Sequence, residues 1–130
     1  MLSRGLISGH WSKDRSGAAD FRGRSPRFQG DNLDANLALV ETLRSMAAGL
    51  GVTPAQLAIA WVATQGSDIV PLVGARRRER LTEALGALQA KPSPARLAEL
   101  AKAFPPGVAA GERYPEAQLV HMDSERRLTE

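Results

Sequence analysis

A single short run of apolar residues, Ile69–Val73, constrains the fold of this chain more than any other feature. The run is flanked by Asp68 and Gly74, and a segment with helical spacing follows. An apolar run of this length between turn residues is typical of a buried parallel strand. A lone buried strand would leave its backbone N–H and C=O groups unpaired. The sequence therefore predicts neighbouring strands that this chain does not itself contain.

The helix predicted after Gly74 begins in a cluster of arginines: Arg76, Arg77, Arg78 and Arg80. Glycine lets the backbone turn tightly before the helix. The first helical turn presents unpaired N–H groups and the positive end of the helix dipole, and both attract anions. A guanidinium fork suits a phosphate dianion. The sequence predicts a phosphate site in which Arg76 and Arg80 are ligands, while Arg77 and Arg78 belong to a solvated face.

Four helices are predicted from apolar residues at helical spacing. The first starts at Asp31, with Asp31 or Asn32 as its cap, and ends at Gly49 and Gly51; the second starts in the capping box Thr53-Pro54-Ala55-Gln56 and stops near Gly66; the third lies near Arg77–Leu88; and the fourth, capped by Ser93, covers Ala95–Phe104. Trp61 shares the apolar face of the second helix, which indicates a core position. Residues 1–30 are predicted to be loop-rich, and residues 124–130 form a charged tail.

Composition excludes several classes of protein. The chain has 130 residues, enough for one domain with a modest core. No apolar run approaches the roughly 18–20 residues that span a bilayer, and the N-terminal stretch is not typical of a secretory signal. The chain has no cysteine, which excludes disulfides and thiolate metal sites and is compatible with a cytoplasmic location. His10 and His121 lie far apart in sequence, so no metal site is predicted.

The net charge of +3 and the apolar helix faces leave two further interpretations open. One is a small basic helical module that binds nucleic acid, although the second predicted helix carries no Lys or Arg to contact phosphates. A composition bias of the source genome explains the arginine excess at least as well as a nucleic-acid-binding surface does. The other is a non-enzymatic remnant that binds a protein partner through exposed apolar helix faces.

Three blocks resemble, in order and spacing, the C-terminal third of the aldo-keto reductases: AQLAIAWVATQG (residues 55–66), DIVPLVGARRRERLTEALGAL (residues 68–88) and SPARLAELAKAF (residues 93–104). The opening LSRGLISG is similar to that family's loop after the seventh barrel strand, and GERYPEAQL to its tail. The resemblance implies the C-terminal part of an α/β fold, a (β/α)8 TIM barrel whose last strand is Ile69–Val73. A whole barrel takes about 250 residues, so residues 1–130 are expected to be a partial, truncated domain.

The resemblance also implies a cofactor, NADP(H), and residues that hold it: Leu2, Arg4 and Gly5 along the pyrophosphate; Gly74, Ala75 and Arg76 at the adenosine 2′-phosphate and ribose; Arg80 as a phosphate ligand; and Glu83 beside the adenine. The spacing of Glu83 equally allows a simple i,i+3 ion pair with Arg80. Three positions depart from the family's pattern. Ala84 stands where Asn is common, Ser3 where Gly is frequent, and Met1 where Pro is expected.

Family catalysis is hydride transfer between the nicotinamide and a small carbonyl substrate, with a Tyr acid assisted by Lys, Asp and often His on early strands. None of those residues matches this sequence, and Tyr114, the only tyrosine, lies in the tail segment. No catalytic residue is therefore predicted. Trp11 falls in a loop that in the family lines the substrate pocket. We expect the isolated chain to be inactive, without nucleic-acid or membrane partners, and to need the missing strands or another chain to fold.

Overall fold

A computed structural model describes residues 2–8 and 21–122 of the chain. Its residues cluster into two compact units. The described residues of the first unit are 2–8 and 37–108, and those of the second are 21–36 and 109–122. The charged tail, Trp11 and His10 lie outside the described residues.

The described residues form helices and turns: α1 (Gly30–Ala48), α2 (Pro54–Ala63), α3 (Arg78–Gly86), α4 (Pro94–Ala103) and α5 (Glu116–Leu119), with short 3-10 turns at Ser3–Gly5, Phe21–Arg24, Pro26–Phe28 and Ala87–Gln89. The four predicted helices are confirmed. Residues 2–8 and 21–29 form only short 3-10 turns. None of the helices in the described ranges is long and apolar enough to cross a membrane.

Two predicted N-caps are confirmed by side-chain hydrogen bonds. The Thr53 hydroxyl accepts from the Gln56 amide at 3.2 Å, and the Gln56 side-chain oxygen accepts from the Thr53 amide at 2.9 Å. The Ser93 hydroxyl accepts from the Arg96 amide at 3.4 Å. Each bond satisfies a donor that the first helical turn leaves unpaired. The capping box and the serine cap therefore begin α2 and α4 where the sequence predicts.

The core of the first unit lies between α1, α2 and α4. Leu43, Ala47, Leu57 and Leu100 are buried together there. Partly buried side chains from the surrounding elements pack against them: Ile7, Met46, Leu50, Val52, Ala58, Trp61, Leu97 and Phe104. The core position predicted for Trp61 is thus confirmed. Leu57 has no accessible surface and is the largest fully buried side chain among the described residues of this unit.

The predicted strand at Ile69–Val73 is wrong for this chain. No β-strand forms within residues 2–8 and 21–122, and the stretch from Ile69 to Ala75 is irregular. Its large apolar side chains are exposed rather than buried. A strand needs a neighbouring strand to pair its backbone groups, and the described chain offers none. The barrel implied by the resemblance is therefore not formed by these residues alone.

The second unit is held by hydrogen bonds to Asn36, a buried side chain that is 3% exposed. Its amide nitrogen donates to the backbone oxygens of Arg27, at 3.1 Å, and Ala110, at 2.8 Å. Its side-chain oxygen accepts from the Ala110 amide at 2.9 Å. Buried polar groups are stable only when paired in this way. The Asn36 side chain therefore joins the segment before α1 to the segment that follows Val108.

The predicted cap of α1 is wrong, because Asp31 and Asn32 both lie inside the helix. The Asn32 amide nitrogen instead donates to the backbone oxygen of Pro26 at 3.2 Å. The helix begins at Gly30, whose φ of +48° is a left-handed conformation that glycine adopts readily. At the other end α1 stops at Ala48, and the predicted termination by Gly49 and Gly51 is confirmed, Gly51 having a φ of +68°.

Candidate phosphate-binding site

The residues that precede α3 lie on an open surface. Gly74, Ala75 and Arg76 are all exposed, and Arg76 comes before the helix rather than within its first turn. Gly74 does not have a positive φ, and a Cβ added to it would meet nothing within 4 Å. The turn into α3 therefore does not depend on the conformational freedom of glycine, contrary to the prediction.

The N-terminus of α3 has the features of an anion site. Arg77 is the N-cap residue, and its side chain makes no capping hydrogen bond. From Arg76 to Glu83 the sequence holds four arginines and two glutamates, a local net charge of +2. Arg76 makes no ion pair with the described residues. A helix N-terminus without a side-chain cap, surrounded by guanidinium groups, attracts phosphate through both its amides and its charge.

Arg80 and Glu83 are brought together on α3. The Arg80 Nη1 lies 3.2 Å from the Glu83 Oε2, and the side chains are 41% and 18% exposed, respectively. The ion pair spans one helical turn, the i,i+3 spacing at which helix side chains meet. It holds the guanidinium group against the helix at the position where the sequence predicts a phosphate ligand. Glu83 therefore contacts Arg80 in the structure.

Gln56 is the residue that the sequence reasoning missed. Its side-chain nitrogen donates to the backbone oxygen of Glu83 at 3.0 Å, while its side-chain oxygen completes the capping box of α2. A Cβ added to Gly86 would lie 2.3 Å from that nitrogen, so the missing side chain leaves room for it. The capping-box pattern identified Gln56, but only for its own helix. Nothing in the local sequence reveals that its second group reaches α3.

The predicted pyrophosphate loop, Leu2, Arg4 and Gly5, forms a tight 3-10 turn. The Gly5 amide donates to the Leu2 backbone oxygen at 2.9 Å. Three consecutive residues have a positive φ, namely 45° at Ser3, 56° at Arg4 and 94° at Gly5. This conformation is uncommon for residues with a side chain. The buried Leu6 and the core contact of Ile7 anchor the loop to the first unit.

Tyr114, the only tyrosine of the sequence, lies in the described part of the second unit. The Arg113 guanidinium carbon lies 5.5 Å from the centre of the Tyr114 ring. The described part of this unit contains no lysine, one of the residues that the resemblance leads us to expect beside a tyrosine acid. Within residues 2–8 and 21–122, no group of three or more His, Cys, Asp or Glu side chains could hold a metal ion.

Comparison with known proteins identifies relatives across most of the chain. The model of the aldo/keto reductase family matches residues 2–104. The chain is 39% identical over 115 residues to the aldo-keto reductase yakc [NADP(+)] of Schizosaccharomyces pombe, a match that covers 88% of this chain and 34% of that protein. It is also 39% identical over 113 residues to a protein named probable aldo-keto reductase 1 of Glycine max, covering 87% of this chain and 33% of that protein.

These matches confirm the resemblance stated from the sequence blocks. The family match begins at Leu2, includes the predicted loop and the α3 arginines, and continues through α4 to Phe104. They do not support the nucleic-acid interpretation, and α2 carries no Lys or Arg. The chain spans about one third of the length of the curated relatives it matches.

Proposed function

This chain belongs to the aldo/keto reductase family, and on that premise we propose that it holds the phosphate end of NADP(H) within an oxidoreductase of that family. The observation that carries the proposal is the basic surface at the start of α3, where Arg76 and Arg80 flank a helix N-terminus without a side-chain cap. The name of the Schizosaccharomyces pombe relative includes NADP(+), which supports this choice of cofactor.

The donor set fits the group that distinguishes NADP(H) from NAD(H). A 2′-phosphate is a compact dianion, and guanidinium groups bind such oxygens with two parallel N–H donors. We assign Arg76 and Arg80 to this phosphate, with Gly74 and Ala75 beside the ribose and Glu83 toward the adenine. Because Gly74 and Ala75 have little side chain and are exposed, a nucleotide can approach the backbone there.

A chain of hydrogen bonds supports Arg80 in that role. Thr53 and Gln56 bond to each other at the start of α2, and Gln56 donates to the Glu83 backbone oxygen. Glu83 in turn pairs with Arg80 on α3. Groups held before the ligand arrives lose less conformational entropy on binding. We therefore assign specificity for the 2′-phosphate mainly to Arg80.

The loop at Leu2, Arg4 and Gly5 is proposed to line the pyrophosphate. Its positive φ angles turn the backbone sharply within three residues, and Leu6 fixes it to the core. Arg4 adds a positive charge at this loop. The loop and the α3 arginines would then hold the two charged parts of one extended dinucleotide.

When bound, the cofactor supplies hydride exchange with a small carbonyl or alcohol substrate. This chain contributes binding and orientation, and we assign none of its residues to proton transfer. Tyr114 is not assigned because the described part of its unit holds no lysine. In our proposal the isolated chain binds NADP(H) without turning over substrate, and the rest of a family barrel, in a longer chain or a second one, completes the active site.

Thermal unfolding of the purified chain with NADP and with NAD tests the proposal. A ligand that binds only the folded state stabilises it by about 2.7 kcal/mol at a hundredfold excess over Kd. We expect NADP to raise the melting temperature and NAD to raise it less. Arg80→Ala should weaken NADP binding about tenfold or more, because a charge-assisted bond is lost. The absorbance of NADPH should stay constant when aldehydes are added.

Arg96→Ala is the matched control, because Arg96 forms the equivalent i,i+3 pair with Glu99 on α4. This variant should lose a similar surface ion pair and keep the response to NADP. Equal responses to NADP and NAD, or equal losses in both variants, would contradict the assignment of Arg80 to the 2′-phosphate. Sustained NADPH oxidation by the pure chain would contradict its proposed inactivity.

A further inference from the structure

Residues 109–113, which we call the strap, are attached to the segment that precedes α1 by the side chain of Asn36. The Asn36 oxygen accepts from the Ala110 amide at 2.9 Å, and its nitrogen donates to the Ala110 backbone oxygen at 2.8 Å. The same nitrogen donates its second hydrogen to the Arg27 backbone oxygen at 3.1 Å. One buried side-chain amide therefore bonds both backbone groups of Ala110, as a neighbouring strand would.

Two further side chains of the preceding segment bond to the strap. The Arg27 Nε donates to the Gly111 backbone oxygen at 3.1 Å. The Ser25 hydroxyl donates to the Arg113 backbone oxygen at 3.4 Å, and Ser25 is 1% exposed. The strap backbone is thus bonded at three positions by side chains from residues 25–36.

Gly111 is the point of closest approach between the two segments. Its φ of +78° favours glycine. A Cβ added there would lie 3.0 Å from the carbonyl carbon and oxygen of Pro26 and 2.8 Å from the Asn32 side-chain nitrogen. The strap can therefore lie against the Pro26 backbone only because residue 111 has no side chain.

We propose that these contacts form a clasp, with Asn36 as its positioning residue, and that the strap opens and closes while the first unit stays folded. The clasp contacts lie within the second unit, whereas the core of the first unit is formed by residues from Ile7 to Phe104. Proteins open locally in cooperative units of this kind. The clasp lies beyond the family match, which ends at residue 104, and it uses none of the residues assigned to the cofactor.

The bonding of Asn36 makes the clasp a two-state device. Moving the strap away from Asn36 removes an acceptor from its nitrogen and a donor from its oxygen at once. A buried polar group left without its partner is costly, so partly opened arrangements are disfavoured. The stable arrangements are then a closed strap with these bonds made and an open strap with the same groups in water.

Amide hydrogen exchange of the full chain tests whether the close approach at Gly111 keeps the clasp shut. Gly111→Ala places a Cβ against the Pro26 backbone but leaves every clasp donor and acceptor in place. The Ala110 amide should then exchange about tenfold or more faster. Gly107→Ala is the matched control, because Gly107 has a similar φ of +81° and a Cβ there would meet nothing within 4 Å. This control should leave exchange at Ala110 unchanged.

Limited trypsin digestion tests the role of Asn36 at bonds that its side chain does not make. Asn36→Ala should speed cleavage after Arg27 and Arg113 about tenfold or more, because an open strap frees both segments for the protease. Cleavage after Arg44, in the first unit, should not change. Asn32→Ala is the matched control, since Asn32 donates from the same helix to the Pro26 backbone oxygen. It should digest like the wild type.

The Leu57 amide, which donates to the Thr53 oxygen within the first unit, separates local opening from unfolding. Its exchange should be the same in the wild type and in the clasp variants. Equal acceleration at Leu57 and Ala110 would overturn the proposal, because the strap would then open only with the whole chain. So would equal effects of the two glycine variants, or of the two asparagine variants. These readouts need no NADP, so they fail or succeed independently of the cofactor proposal.

Discussion

Helices α2 and α3 are similar in length and contact each other, yet they are stabilised in different ways. Helix α2 begins in a full capping box and buries Ala55, Leu57, Ile59 and Ala60. Helix α3 begins at Arg77 without a side-chain cap, and none of its residues, all of which lie in the described range, is buried. Its large apolar side chains, Leu81 and Leu85, are about half exposed.

The difference shows which helix-stabilising interactions, caps or packing of the apolar face, this chain makes by itself. The caps of α2 are local, and its apolar face meets α1 and α4 within the first unit. The apolar residues of α3 have the same helical spacing, but its contacts with the described residues leave Leu81 and Leu85 about half exposed. Most helix stability in proteins comes from packing of the apolar face rather than from propensity. Gln56 partly compensates, since it bonds α3 to the capping box of α2.

The largest expected effect is that of truncating Leu57 in α2, measured against the same truncation of Leu85 in α3. Leu57 is fully buried, so Leu57→Ala should lower the free energy of unfolding by about 2–5 kcal/mol. Leu85 is 55% exposed, so Leu85→Ala should change the free energy of unfolding by no more than about 0.5 kcal/mol. Urea unfolding followed by circular dichroism measures both. Similar losses would mean that the apolar face of α3 is covered in solution.

Removing the link between the helices should have an intermediate effect. Gln56→Met keeps the length of the side chain but loses the bonds to Thr53 and Glu83, at an expected cost of about 1–2 kcal/mol. Gln65→Met is the control, because Gln65 also donates from its side chain to a backbone oxygen, that of Trp61, but on an exposed surface. Amide hydrogen exchange should show α3 opening more often in the first variant only. Unchanged exchange in α3 would show that the Glu83 bond does not tether it.

The smallest effect should come from giving α3 the cap that α2 has. Arg77 has the extended conformation of an N-cap residue, with φ −121° and ψ 144°. Arg77→Ser should therefore stabilise the chain by about 0.5–1 kcal/mol. Arg78→Ser removes the same charge one residue later, within the helix, where serine cannot cap it, and should give no gain. Thermal unfolding of the two variants checks the difference, and equal shifts would attribute any gain to charge alone.

Much of the helical structure follows from the sequence. The proline at the first position of α2, the Thr53 box and Ser93 identify two helix starts to within a residue, because caps act over three residues. The cap of α1 could not be predicted in the same way. Asp31 and Asn32 are good capping residues, yet Asn32 bonds instead to Pro26. That choice depends on a turn preceding the helix, which side-chain type alone does not define.

The candidate site was predicted only in part. Arg80 and Glu83 lie three residues apart on a helix, so their ion pair follows from periodicity. The support from Gln56 does not, because it joins residues 27 positions apart in sequence. The burial of Asn36 leaves a trace in the sequence, since the residue falls among the apolar positions of α1. Its partners Arg27 and Ala110 lie on separate segments.

The amino-acid sequence by itself determined the helices, two of the three helix caps it predicted, and the membership of the family. These properties depend on residues a few positions apart or on the order of residue types along the chain. Only the tertiary structure decided that Ile69–Val73 is an exposed segment instead of a strand, and that Gln56 joins α2 to α3. Both outcomes depend on which distant groups are within reach. A strand requires the backbone of a neighbour, and the apolar pattern of one segment cannot supply it.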